Sequence, residues 1–405
     1  MPATPTTSPD RARQDMVDTL LRLQTEWGMT PISPQVEEVL RRVPRHVFVP
    51  EVALKDAYAT DYAPPIQRAE DGLITSSMSA VRVQAMMLDQ AGLESGMRVL
   101  EIGSGGYNAA LISELVGSEG EVNTIDIDPE VTDRARRYLD ETGYEDVRVV
   151  TGDAEFGAAE FAPYDRIIVT VRAWDLPPAW TTQLTPNGRL VTPTRLRGVN
   201  RTVALDRVDD HLVSRPDHHL TVFVPMQGAG AHEERGIAVQ GDDIALYDAE
   251  EPVDVAAMRK ALHGPRTEFW TGVEFTYPDR MHLWTATHAD RHATLHVPGD
   301  VLEHGPAGRV AQRLTPVVLA DGGSIAVRVK RDLGGGRFET GVFAYGPHGE
   351  EAALTYVDLL RAWECRKTAM ARIEVWPSGT PDDALPTDRA RVLDKTHTRT
   401  VLAWP

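Results

Sequence analysis

Cysteine is nearly missing: Cys365 stands alone among 405 residues, so an internal disulfide and a thiolate-built zinc site are both excluded. Long apolar runs are missing as well, with no stretch near the roughly 18 residues that a membrane-crossing helix needs. Asp10, Asp15 and Asp18 occupy the place where a secretion signal carries a basic start and an apolar core. Positive charge is in deficit, 42 Lys and Arg against 60 Asp and Glu for a formal net charge of -18. No local Lys/Arg run offsets this repulsion of polyanions. These absences predict a soluble, cytoplasmic protein with no membrane and no nucleic-acid partner.

What remains is a chain of 405 residues, 42% of them hydrophobic, long enough to predict two domains. Ser8-Pro9 and Ser33-Pro34 each read as an N-cap followed by proline at the first helical position, where its missing N–H costs nothing. Two helices are therefore expected, one carrying Met16, Leu20, Leu21 and Leu23 and ending at Gly28, the other running to about Val43 before Pro44. An irregular layer follows to Pro65, then a helical pattern over residues 79–93. Strand and helix then alternate: strands over 98–102, 121–127, 147–151, 166–171 and 189–193, helices over 107–115 and 129–139, and a last strand near 220–225. Short buried strands alternating with helices predict an α/β, Rossmann-like, doubly wound sheet.

Residues 227–235, rich in Gly, Ala, His and Glu without periodicity, read as a linker. This sets the expected domains at 1–228, with a helical lid over about 8–80, and 229–405. The second is expected to be α+β, with strands near 244–247, 267–275, 324–329, 338–344, 373–376 and 400–404 and a helix near 350–367. Gly334, Gly335 and Gly336 read as a hairpin turn.

The chemistry concentrates in Val99-Leu100-Glu101-Ile102-Gly103-Ser104-Gly105-Gly106-Tyr107-Asn108, a strand ending in an acid, a glycine turn and a helix. Glycines there let a ligand approach the backbone. Asp126, ending the next strand, is placed to accept from two ribose hydroxyls, and Asp153, ending the third, from an adenine amine. The turn lacks the Lys-Ser/Thr pair that holds phosphates. An adenosyl ligand without a triphosphate fits, and S-adenosyl-L-methionine (SAM), leaving as S-adenosyl-L-homocysteine, is the expected cofactor.

Residues 12–225 resemble the protein-L-isoaspartate O-methyltransferase family. The resemblance rests on Val43-Pro44-Arg45-His46, Phe48-Val49-Pro50, Ala57-Tyr58, Asp61, Pro64-Pro65-Ile66, the glycine motif, Thr151-Gly152-Asp153, Ala162-Pro163-Tyr164-Asp165, Gln183-Leu184 and Gly188-Arg189-Leu190-Val191. It implies that Ser79, with Ser77 as its companion, aligns a substrate carboxylate with the SAM methyl group. It further implies a cofactor site of Thr75, Ser76, Glu101, Gly103, Ser104, Gly105, Asn108, Asp126, Ile127, Asp153 and Ala154, and substrate contacts from Asp61, Tyr62 and Arg82. No metal is expected. A carboxylate is already ionised at neutral pH and needs placement rather than a general base. The plainer role of Thr75, Ser76 and Ser77 is a polar cap for the next helix.

Several positions depart from the family pattern. The glycine turn is one residue short, Val81 and Arg82 stand where Pro and His are usual, and Gln84 where a second His often sits. The tail of about 175 residues is extra. Trp376-Pro377-Ser378-Gly379-Thr380-Pro381-Asp382-Asp383, Asp394-Lys395-Thr396-His397-Thr398-Arg399 and Trp404-Pro405 resemble the FxLD-type homologues that modify ribosomal peptides. That resemblance implies a modified precursor peptide as partner: a lanthipeptide, lasso peptide or graspetide whose aspartate is methylated, closes to a succinimide and opens to isoaspartate. The alternatives are protein-L-isoaspartate repair and an inactive SAM-binding scaffold. His288, His292 and His296 have helical i, i+4, i+8 spacing but no supporting context for zinc, and Trp174 and Trp180 read as packing residues.

Overall fold

The computed structural model describes residues 8–26, 30–70, 72–234, 236–240, 244–275, 279–297 and 314–405. Both Ser-Pro pairs start helices: α1 (Pro9–Glu26), with Arg11 N donating to Ser8 Oγ at 3.2 Å, and α2 (Pro34–Arg42), with Val36 N donating to Ser33 Oγ at 3.4 Å. The expected stop at Gly28 lies outside the described residues. A short helix α3 (Leu54–Ala57) and a hairpin, β1 (Pro65–Arg68) with β2 (Ile74–Ser77), lead to α4 (Val81–Ala91). Here the cap reading of Thr75, Ser76 and Ser77 is corrected. They lie in β2, paired with β1, and α4 starts after Ala80 with no side-chain cap.

The core of the sheet is parallel: β3 (Arg98–Ile102), β4 (Glu121–Asp126), β5 (Arg148–Thr151), β6 (Tyr164–Val169) and the first half of β7 (Leu184–Leu196). Helices α5 (Tyr107–Val116), α6 (Pro129–Glu141) and α7 (Pro178–Thr182) lie between the strands in sequence, giving the expected doubly wound arrangement. Beyond it, β8 (Val199–Val208) and β9 (His211–Leu220) add an antiparallel extension. Sequence reading missed this pair because Arg, Asp and His residues interrupt its apolar alternation. Of residues 220–225, expected as the last strand, Leu220 ends β9 and residues 221–225 form the connection that follows it, with Pro225 bridging to Arg172.

A second, antiparallel sheet comprises β10 (Ile237–Gln240), β11 (Ile244–Tyr247), β12 (Arg266–Glu274), β13 (His292–His296), β14 (Leu314–Ala320), β15 (Ser324–Gly334) and β16 (Arg337–Tyr345), in the order β10-β11-β13-β14-β15-β16-β12. Its strands alternate: Val317, Ile325 and Val327 pack with Met258 and Leu262 of α8 (Val255–Leu262). Val318 and Ala326 pack with Trp284 of α9 (Asp279–His288) and Tyr356 of α10 (Gly349–Glu364). Gly334, Gly335 and Gly336 all have positive φ and turn the β15–β16 hairpin. His288 ends α9 while His292 and His296 lie on β13, so the three do not share a helical face.

The chain then returns. β17 (Arg372–Pro377), β18 (Arg389–Asp394) and β19 (Thr398–Ala403) join the first sheet, whose order is β18-β19-β17-β9-β8-β7-β6-β3-β4-β5. Val375 pairs with Leu212, and Ile373, Val375, Leu393 and Leu402 share a core with Leu100 and Ile102. The expected boundary at 228/229 therefore does not separate two units. β17 covers the edge that β9 would otherwise leave with unpaired N–H and C=O groups. No helix among the described residues is long and apolar enough to cross a membrane.

Candidate active site

The C-terminal ends of β3, β4 and β6 are tied by main-chain bonds: Gly103 N to Ile125 O at 2.9 Å, and Thr170 N to Ile102 O at 2.7 Å. Gly103 has φ +95°, and a Cβ there would come within 2.5 Å of Thr170 Oγ1. Its glycine thus permits the neighbouring strand's approach as much as a ligand's. The turn opens onto a cleft lined on this side by Gly103, Ser104, Gly105, Asp126, Ile127, Asp128, Val131 and Ala154. Asp126 accepts from Ser104 N and Asp128 N, both at 3.0 Å, one on each carboxylate oxygen. Burial pushes its carboxyl above the usual carboxylate range, and these main-chain N–H groups pull it back. Each oxygen keeps a lone pair for a further donor.

Three expected cofactor residues stand outside this lining. Glu101 is fully buried beneath the turn, accepts from Thr124 Oγ1 at 2.6 Å, and has a second oxygen without a partner. Burial pushes its carboxyl up to about 7 against the opposing Thr124 and Asn108 side chains. Asn108 is buried beside it, on the first turn of α5. Asp153 accepts from Glu155 N at 2.9 Å and Ala229 N at 2.7 Å. It caps a short 3-10 turn and fastens residues 228–230, both through its side-chain carboxylate.

The opposite wall comes from β2. Thr75, Ser76 and Ser77 line the cleft with Gln67, and Gln227 Nε2 reaches Thr75 O at 3.5 Å across it. Ser79 lies two residues beyond, half-buried and outside the lining, its carbonyl held by Arg45 Nη2 at 2.9 Å. Asp61 and Arg82 form an ion pair, Arg82 N donates to Thr60 O at 3.2 Å, and Tyr62 beside them is 42% exposed. The three expected substrate residues therefore lie together but outside the cleft lining, Asp61 and Tyr62 facing a separate hollow beside α1 and α3. Sequence reading missed Thr170, Val171 and residues 224–227, which also line the cleft. Thr170 follows β6 directly, so its place after a parallel strand was a usable signal, whereas residues 224–227 arrive only through the unforeseen β8–β9 hairpin.

The cleft fits an adenosyl ligand that carries no phosphate. Its lining includes Asp126 and Asp128 but no Lys, Arg or His, which disfavours a polyanion and suits a positively charged sulfonium. Ser104 lines it and keeps its Oγ buried without a partner, while Ile127, Val131 and Met226 supply apolar surface.

A profile of the protein-L-isoaspartate(D-aspartate) O-methyltransferase family matches residues 16–231. Protein-L-isoaspartate O-methyltransferase 2 of Archaeoglobus fulgidus is 37% identical over 208 residues, 51% of this chain and 90% of that protein. Protein-L-isoaspartate O-methyltransferase of Methanopyrus kandleri is 37% identical over 226 residues, 55% of this chain and 95% of that protein. A solved structure titled protein-L-isoaspartate O-methyltransferase aligns with 88% of this chain and 96% of its own, at a TM-score of 0.48 and 23% identity.

Proposed function

The chain belongs to the protein-L-isoaspartate(D-aspartate) O-methyltransferase family, and on that premise we propose that it methylates the free carboxylate of isoaspartyl residues in proteins or peptides. It is a SAM-dependent carboxyl O-methyltransferase. The observation that carries the substrate reading is the pairing of two walls, a cation-free acidic cleft facing the hydroxyl-bearing strand β2. When bound there, SAM supplies a methyl group that a carboxylate oxygen takes as the C–S bond breaks, the sulfur keeping the electron pair.

In this reading Asp126 holds the ribose through its free lone pairs, and Ile127 and Ala154 flank the adenine. Gly103, Ser104 and Gly105 border the methionine end with Thr75 and Ser76. Glu101 and Asn108 act from beneath by shaping the turn, and Asp153 by fastening residues 228–230. Ser79 and Ser77 donate to the substrate carboxylate, turning one oxygen toward the methyl group. Placement supplies the catalysis, because the nucleophile is already ionised. Asp61, Tyr62 and Arg82 form the rim that the peptide crosses.

A second reading is favoured by that rim and by the second sheet: methylation of an aspartate in a constrained ribosomal peptide, with the seven-stranded sheet docking the precursor. A cyclised peptide has already lost conformational entropy that a linear one must give up. Mass spectrometry of two peptides offered with SAM separates the readings. The isoaspartate reading expects a methyl ester on a linear isoaspartyl peptide. Methylation confined to the constrained aspartyl peptide would replace it with the second reading.

A further inference from the structure

Arg45 has no exposed surface, yet among the described residues no carboxylate pairs with its guanidinium. All three of its side-chain bonds go to neutral acceptors. Nε donates to Ala57 O at 2.8 Å, Nη1 to Gln84 Oε1 at 2.7 Å, and Nη2 to Ser79 O at 2.9 Å. Its Cζ lies 5.0 Å from the ring centroid of Tyr107. A buried charge without a counterion is costly, and burial holds this guanidinium down at about 10, still cationic at neutral pH. The bonds join the chain before Asp61 and Tyr62, the segment of Ser79, and the first turn of α4 behind Arg82. Those are the segments assigned above to the substrate.

We propose that Arg45 is a positioning residue that sets the Ser79 segment and leaves an unneutralised positive charge behind the substrate side, selecting a carboxylate over a neutral group. The inference rests on the isoaspartate reading of the site. Its charge is 2.9 Å from the Ser79 carbonyl, inside a low-dielectric interior where attraction to an incoming anion is weakly screened. Gln84 completes the device. Its amide oxygen satisfies one N–H while adding no charge, so Arg45 stays positive whether or not substrate is present.

The test neutralises the charge without breaking the bond. Gln84→Glu places a carboxylate on Arg45 Nη1, and Arg45→Gln removes the charge outright. For both variants the KM of an isoaspartyl peptide should rise about tenfold or more, with kcat falling further only in Arg45→Gln. Inhibition by the same peptide bearing neutral isoasparagine should stay within about twofold, as should SAM affinity by calorimetry. Equal weakening of the acidic and neutral peptides, or no change in either, overturns the charge role. If Arg45→Gln does not fold, Gln84→Glu decides alone. A wild-type protein that methylates neither isoaspartyl nor aspartyl peptides overturns the isoaspartate reading and this inference together. An active wild type with unaltered variants overturns only the inference.

Discussion

The two walls of the cleft are held by different means. The wall proposed for the cofactor is a row of strand ends, where Asp126 is gripped by two main-chain N–H groups and Gly103 is tied to β4 and packed against Thr170. The wall proposed for the substrate is a hairpin and loops, whose outer segments converge on one buried side chain, Arg45. Main-chain contacts depend on the sheet rather than on any one residue. A wall of loops depends on its individual side chains. Binding of the donor should therefore resist most point changes, and turnover should not.

The largest effect should come from removing what the cofactor wall rests on. Ile373, Val375, Leu393, Val401 and Leu402 are at most 8% exposed, and each is worth roughly 2 kcal/mol of burial. A chain ending before Arg372 loses a total on the order of 10 kcal/mol, comparable to the net stability of a domain. It should not fold, as read by circular dichroism and soluble yield. A truncated chain that folds and binds SAM would show that the tail strands only decorate the sheet.

Next in size is the buried acid under the turn. Unfolded Glu101 ionises near the ordinary glutamate value, whereas the folded chain keeps its proton up to about 7. The native state thus binds more protons between those values, and stability should fall as pH rises through that window, by an amount on the order of 3 kcal/mol. Asp126, also raised, acts in the same direction. Glu101→Gln should flatten the decline and leave the variant more stable than the wild type at pH 8, with little difference at pH 4. Denaturant titrations at the two pH values read this directly, and an unchanged slope would mean Glu101 is not the group responsible.

Asp126→Ala should weaken SAM about tenfold or more, since it removes charge-assisted bonds. Asp153→Ala should cost less than about threefold, because its carboxylate is used on Glu155 N and Ala229 N. Calorimetry showing equal losses would return Asp153 to the ligand and blur the contrast between gripped and gripping residues. A change smaller than that of Asp126→Ala, and on turnover instead of affinity, is expected from Ser79→Ala. Loss of one neutral hydroxyl bond should lower kcat about fivefold with SAM affinity unaltered. An effect on SAM instead of kcat would move Ser79 to the cofactor wall.

The alternation of short apolar strands with helices was legible because parallel strands buried on both faces carry few polar residues. Glu101, Gly103, Asp126 and Asp153 stood out for the same reason, as polar or glycine positions ending apolar runs. β8 and β9 were not legible, because strands carrying Arg201, Asp206, Arg215 and His218 lose the alternation that marks a strand. Thr75, Ser76 and Ser77 were equally ambiguous, since a polar tripeptide before a helix satisfies cap and strand alike, and the pairing of Ser77 with Pro65 and Ser76 with Gln67 chose the strand.

Local sequence alone determined the glycine turn, the acids at the strand ends and the Ser-Pro helix starts, all of which depend on residues a few positions apart. Only the tertiary structure decided that residues 372–403 complete the first sheet, that Asp153 spends its carboxylate on residue 229, and that Arg45 joins Ala57, Ser79 and Gln84. Those outcomes depend on edge pairing and burial between segments 12 to about 160 positions apart. Spacing along the chain carries no trace of such contacts, because the free energy that selects them appears only when the two surfaces leave water together.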